Sequence, residues 1–253
     1  MNARIYRLHY RGQLKEDVSE EALKEATEQC VANVRQAQKT GRVLTAALYR
    51  SERMLFFYYE AVGEPLSVTE PILMVQADKS QEKIPESGED VQTTCLYPDE
   101  LLAALNPYLQ VWPGQRDDRL WVHMYHIYYH QIPKSVEQWS RATRPVKRRG
   151  RIAFLRDGKL FSYTYFHKAI VDEGLLTGDK YQSIALHENI LFSYFEEPKT
   201  MVNVKNDDIG ESEVIKEWLA VDPESHFIHM PEGQGENFMF LPALFAVGVE
   251  DFI

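Results

Sequence analysis

TAALYRSERMLFFYYEA, residues 45–61, and SIALHENILFSYFEE, residues 183–197, write nearly the same phrase twice in one chain. Ala47-Leu48 matches Ala185-Leu186, Leu55-Phe56 matches Leu191-Phe192, and Tyr58 and Glu60 match Tyr194 and Glu196. A proline follows each copy, Pro65 or Pro198. Apolar patterning alone recurs easily, but matched identities in matched order point to a duplicated unit whose two sheets present similar faces.

Outward from the first copy, RIYRLHYR (4–11) reads as a strand and residues 19–39 as the clearest helix. Ser19 can cap that helix, acidic residues fill its first turn, and Gly41 stops it. Ala22, Ala26, Cys30, Val34 and Ala37 form a small-residue stripe suited to lying against a sheet. Residues 43–49 and 54–62 form a hairpin around Ser51-Glu52-Arg53. Residues 77–90 form a charged excursion, and Asp99–Leu105 a short helix ending at Asn106-Pro107. Residues 108–112 and 120–130 return to strand character.

The second half tracks the first. MYHIYYHQ (124–131) is similar to IYRLHYRG (5–12), and WLAVDP (218–223) to LAALNP (102–107). GRIAFLRDGKLFSYTYFHK (150–168) and the 183–197 segment compete as partners for the first hairpin. The former keeps the offsets more nearly constant, and its Asp157-Gly158 pair predicts a two-residue hairpin turn. On that register 183–197 is an additional hairpin. The prediction is an α+β chain of two units, 1–118 and 119–253, meeting somewhere in 118–150. Each is mainly antiparallel sheet with helices on one face.

The chain has 253 residues, 44% hydrophobic and 26% charged, which suits a folded globular protein. A formal net charge of −10 opposes general binding to nucleic acid or anionic membranes. The opening MNARIYRLHYRGQ has no signal-peptide core, and no stretch reaches membrane-span length. Cys30 and Cys95 make no disulfide framework or CxxC pair, and Cys30 reads as a buried reduced thiol. The expectation is a cytoplasmic protein with no nucleic-acid or membrane partner, able to form a homodimer through a sheet edge.

KYQSIALHENILFSYFEEP (180–198) resembles the middle hairpin of L-rhamnose mutarotase-like proteins, with an apolar strand, a polar turn and a Leu-Phe-x-Tyr-x-Glu-like strand. HKAI (167–170) resembles that family's histidine-bearing helix. The resemblance implies a ferredoxin-like dimeric α+β barrel, built here within one chain. It also implies sugar anomer exchange by His/Tyr acid–base chemistry without an organic cofactor. His167 is then the proton-transfer residue, with Tyr165, Tyr181 or Tyr194 at the sugar oxygens. The competing expectation is a noncatalytic ligand-binding or interaction protein.

Other residues carry candidate chemistry from their pattern. Along the strand read at 121–130, His123 and Tyr125 share one face, and a Tyr/His wall can stack a ring and exchange protons. Tyr163, Tyr165 and His167 share a face if 160–167 is strand. Glu60 and Glu196 end their strands. They either face each other across a pseudo-twofold axis as an acid/base pair or, on the simpler reading, protrude into solvent. His226, His229 and Glu232 are metal-type ligands whose spacing matches no metal motif, so no metal is predicted. RPVKRRGR (144–151), the one basic concentration, reads as a solubilising connector that can also grip an anion.

Overall fold

The computed structural model describes residues 4–63, 96–113, 119–173, 179–199 and 212–252; the charged excursion at 77–90 lies outside them. The first half runs β1 (Ile5–Gln13), α1 (Glu20–Lys39), β2 (Val43–Ser51), β3 (Met54–Val62), α2 (Pro98–Leu101) and β4 (Trp121–His123). After Met124 come β5 (Tyr125–Tyr129), α3 (Val136–Trp139), β6 (Lys147–Leu155), α4 (Leu160–Glu173), β7 (Ser183–His187) and β8 (Ile190–Glu197). Then follow α5 (Glu213–Ala220), β9 (Phe227–Ile228), β10 (Met239–Phe240) and β11 (Ala243–Gly248).

Two antiparallel sheets result. The first has the order β11-β2-β3-β1-β4; in the second, β5, β7, β8 and β6 follow in that order, with β9 and β10 both pairing β6. Each sheet contains a β-α-β-β-α-β unit of ferredoxin-like order: β1, α1, β2, β3, α2, β4 in one and β6, α4, β7, β8, α5, β9 in the other. The outermost strands are exchanged. β5 leaves the first unit to pair with β7, and β11 returns from the second to pair with β2.

This topology corrects the hairpin register. Residues 183–197 are the counterpart of 43–62. Segment 150–168 instead supplies the strand equivalent to β1 and the start of the helix equivalent to α1. Asp157-Gly158 opens a 3₁₀ turn running into α4, not a hairpin, and Gly158 does not take a positive φ. Leu160, Tyr163 and Ile170 recur at helical spacing and point one stripe at the sheet, which outweighs the local turn signal. Counted from their two-residue turns, the hairpins place Ser183, not Ala185, where Ala47 stands. The slip is two residues, so the same side chains still face inward.

Two further expectations fail locally. Residues 120–130 are not one strand: the chain breaks at Met124, whose fully buried side chain packs between the sheets as the strands part. Residues 108–112 form no strand, only a single bridge from Leu109 to Leu14 after a 3₁₀ turn over Ala103–Tyr108. The basic run 144–151 is not a loose connector either, since from Lys147 it is β6, with Arg148 buried.

Helices cover one face of each sheet. Under α1, Leu23, Ala26, Cys30 and Val34 meet Leu8, Leu48, Phe57 and Tyr59; burial pushes the Cys30 thiol up to about 11. Under α4 and α5, Tyr163, Ile170 and Ile215 meet Leu155, Ile184 and Leu191. The other faces meet each other through Tyr49, Phe56, Tyr58, Ile152, Phe192 and Tyr194. β3 is therefore buried on both sides, the physical reason its sequence is a near-continuous apolar run.

Candidate functional site

The inter-sheet layer carries a twinned polar cluster. Arg7 lies opposite Glu60 and His9 opposite Tyr58; at the equivalent places Arg148 lies opposite Glu196 and Gly150 opposite Tyr194. Gly150 has no side chain because the Tyr49 ring fills the space, 2.6 Å from where a Cβ would stand. The Tyr58 and Tyr194 rings stack across the pseudo-twofold with centroids 3.7 Å apart. Tyr58 donates to Glu60 Oε1 and Tyr194 to Glu196 Oε1, each at 2.7 Å.

Arg141, just past α3, bridges the twins. Its Nη1 and Nη2 donate to Glu60 at 2.5 and 2.9 Å, and Nη2 also to Glu196 Oε1 at 2.6 Å. The Tyr181 ring covers the guanidinium at 3.8 Å, and its hydroxyl donates to the Trp139 carbonyl. Both carboxylates are thus buried, correcting the reading that sent them into solvent. Burial alone would raise the Glu60 carboxyl, but the Arg141 guanidinium outweighs it and holds Glu60 below its ordinary value. Arg141 is held well above its own: burial opposes the charge, and Glu60 and Glu196 more than restore it. Desolvation drives the Tyr58 and Tyr194 phenols well up, so both remain neutral donors.

The twins differ in access. Glu60 is sealed, whereas Glu196 lines a cavity of about 250 Å³ with Arg141, Arg144, Asp179, Lys180 and Tyr181. The Lys180 amine donates to the Gln138 carbonyl and lies 5.3 Å from the Trp139 ring centroid. Partial burial and then Arg141 lower its pKa, against Glu60 and Glu196. Arg144 is mostly exposed and pairs with Asp251 at 2.9 Å. The other twinned arginines have further partners of their own, Arg148 standing 4.0 Å from Glu196 as well. Arg7 donates to Tyr58 and to the Tyr181 carbonyl, and Arg148 to Glu250 and Asp251.

The residues singled out from sequence fall into separate places. Glu196, Tyr194 and Tyr181 come together at this cavity and its floor. His167 lies on α4, across the second sheet from this cavity, its ring stacked on Tyr163 at 3.8 Å and its Nδ1 donating to the Tyr163 carbonyl. Burial lowers it to about 4. Tyr163 is buried with it, while Tyr165 is 61% exposed. His123 and Tyr125 sit in different sheets across the Met124 break, rings 5.7 Å apart, and burial lowers His123 to about 4. His226 is buried 2.7 Å from Ser162 Oγ, whereas His229 and Glu232 are exposed. Among the described residues no three His, Cys, Asp or Glu side chains gather as a metal site, and no helix is long and apolar enough to cross a membrane.

Pattern reading misses Arg141 and Arg7. A glutamate buried in an apolar strand demands a cation, and that demand is the available signal for an arginine nearby. It does not say which one, because Arg141 stands in irregular chain with no periodicity to place it.

No family profile and no curated protein matches the chain. Among solved structures it is similar to two proteins described as a "putative monooxygenase". One is from Fusobacterium nucleatum (14% identity, 98% of this chain and 96% of that one, TM-score 0.39). The other is from Lactobacillus acidophilus (7%, 96% and 97%, 0.41). A chlorite dismutase from Candidatus Nitrospira defluvii also matches (13%, 99% and 94%, 0.32). All these scores lie below 0.5, and no activity passes to this chain on their strength. The likeness to L-rhamnose mutarotase-like proteins is overturned: the matching structures are of other kinds. The segment that suggested it also divides, with His167 on the outer face of the second sheet and Tyr194 on the inner.

Proposed function

We propose that the chain binds a small polar organic anion, of the hydroxy- or amino-carboxylic acid class, in the cavity above Arg141 and Glu196. One observation carries this reading: of two matched carboxylates held by one arginine, Glu196 alone lines a cavity. There it can accept from a hydroxyl or ammonium group, while Lys180 and Arg144 offer cationic partners for a carboxylate. The volume suits a small metabolite, lying near the lower end for ligand pockets. Binding rather than proton transfer is favoured because the tyrosines at the floor stay neutral and Arg141 holds Glu60 charged.

The test is calorimetric titration with a panel of hydroxy- and amino-carboxylic acids. At least one should bind, and Lys180→Gln should weaken it about tenfold, the loss of roughly one charge-assisted contact, with unchanged melting temperature. Glu196→Gln should shift preference toward ligands without the donor group. A panel with no binder, or binding indifferent to both substitutions, would overturn the proposal.

A further inference from the structure

On the outer face of the second sheet, beyond the helices, lies another pocket of about 470 Å³. Its lining includes Val146, Arg151, Phe195, Lys199 and Phe240. It adjoins the first cavity, sharing only Glu197 and Pro198 with it. Its walls are aromatic and unusually open for such side chains: Phe240 is 59% and Val146 74% exposed.

Two cations stand among these walls. The Arg151 guanidinium carbon lies 4.4 Å from the Phe238 ring centroid and 5.2 Å from that of Phe195. The Lys199 amine lies 4.8 Å from the Phe195 centroid. Among the described residues the Arg151 side chain makes one hydrogen bond, to Ser193 Oγ at the long distance of 3.5 Å. No carboxylate among the described residues bridges to it. The nearest lining acid, Glu197, is taken by Arg149 at 2.9 Å. Both cations are driven below their ordinary pKa, first by burial; Lys199 is lowered further by Arg151 itself. Elsewhere in the fold the inward arginines have bound acids or carbonyls. Arg141 has Glu60 and Glu196, Arg148 has Glu250 and Asp251, and Arg7 has the Tyr181 carbonyl.

A half-buried cation pair whose one lining carboxylate, Glu197, is already bridged to Arg149 is costly, and aromatic faces return only a fraction of that cost. An incoming anion would relieve it, and the phenylalanine walls would take up an attached apolar body. We infer that this pocket is a second ligand site, taking a single amphiphilic monocarboxylate whose head lies between Arg151 and Lys199 and whose chain covers Phe195 and Phe240. Arg151 reads as part of the basic run 144–151, and its outward place on β6 turns it into a pocket group.

The experiment is calorimetric titration of the full chain with decanoate below its micellar concentration, beside decanol as the uncharged match. Decanoate should bind one to one and decanol at least tenfold more weakly. Lys199→Gln and Arg151→Gln should each weaken decanoate about tenfold, since each removes one charge-assisted contact. Phe240→Asp should abolish binding. Equal affinity for decanoate and decanol would overturn the inference, as would no binding of either. It would also fall if anionic phosphatidylglycerol vesicles retained the protein while free decanoate did not, or if Phe240→Asp changed only the oligomeric state. Lys199 is only partly buried and lies outside the strands, so its variant decides the matter even if Arg151→Gln fails to fold. A ligand panel failing at the Glu196 cavity leaves this outcome untouched.

Discussion

Glu60 and Glu196 stand at the same position of twin strands, and each accepts a hydrogen bond from the tyrosine two residues before it. Two such carboxylates meeting in a dry layer would repel, and one would take a proton. Arg141 prevents this by donating to both. Removing a partner from a buried ionic cluster strands the remaining charge at a cost of about 3–5 kcal/mol. Arg141→Met should therefore lose about that much stability by urea unfolding at pH 7. The deficit should shrink toward pH 5, because protonating one stranded carboxylate removes the repulsion. A loss below about 1 kcal/mol would mean the cluster is open to water. The Tyr-x-Glu match is legible in the sequence because strand periodicity preserves it. Arg141 is illegible because a connector has no period from which a contact could be read.

At the scale of elements, the two copies of the hairpin decide the fold. Their phase is set by what lies between them. Asp157-Gly158 carries a strong local turn signal, yet the tertiary preference of Leu160, Tyr163 and Ile170 for the sheet makes a helix there. Local chemistry and long-range burial compete, and burial prevails because it engages more side chains. Gly158 makes the distinction measurable. A hairpin glycine with positive φ would be destabilised by a side chain. Here φ is not positive, and a Cβ would meet nothing within 4 Å. Gly158→Ala should stabilise the protein by about 0.4–1 kcal/mol, by reducing the freedom of the unfolded chain and favouring the helix start. A loss of more than about 1 kcal/mol in urea unfolding would restore the turn reading. The helix at 19–39 needed no such arbitration. Its Ser19 cap, acidic first turn and small-residue stripe agree, and Ser19 Oγ accepts from the Ala22 amide at 3.1 Å.

For the whole molecule, packing two sheets face to face under a layer of helices on each outer side, around so many histidines, has a consequence for acid stability. His9 and His126 lie between the sheets with ring centroids 4.4 Å apart. Burial lowers both well below the ordinary value, and neighbouring cationic groups lower them further. Burial also brings His123, His130 and His167 to about 4. The folded state thus holds these rings neutral, while the unfolded chain protonates them near 6.5. Below that point the unfolded state binds more protons, so stability falls as pH drops from about 6.5 toward 4 and is unaffected above it. Each ring that differs fully contributes at most about 1.4 kcal/mol per pH unit. Glu60, held below its ordinary value, adds to the loss only at the acid end, below about 4.5. Melting temperatures measured from pH 8 to 4.5 should stay level to about 6.5 and then fall steeply, several protons being taken up per unfolding event. His126→Phe should flatten the descent by about one proton, since neither of its ring nitrogens has a partner among the described residues. A melting temperature unchanged down to pH 4.5 would mean that these rings reach water in the folded state, and that the inter-sheet layer is not dry.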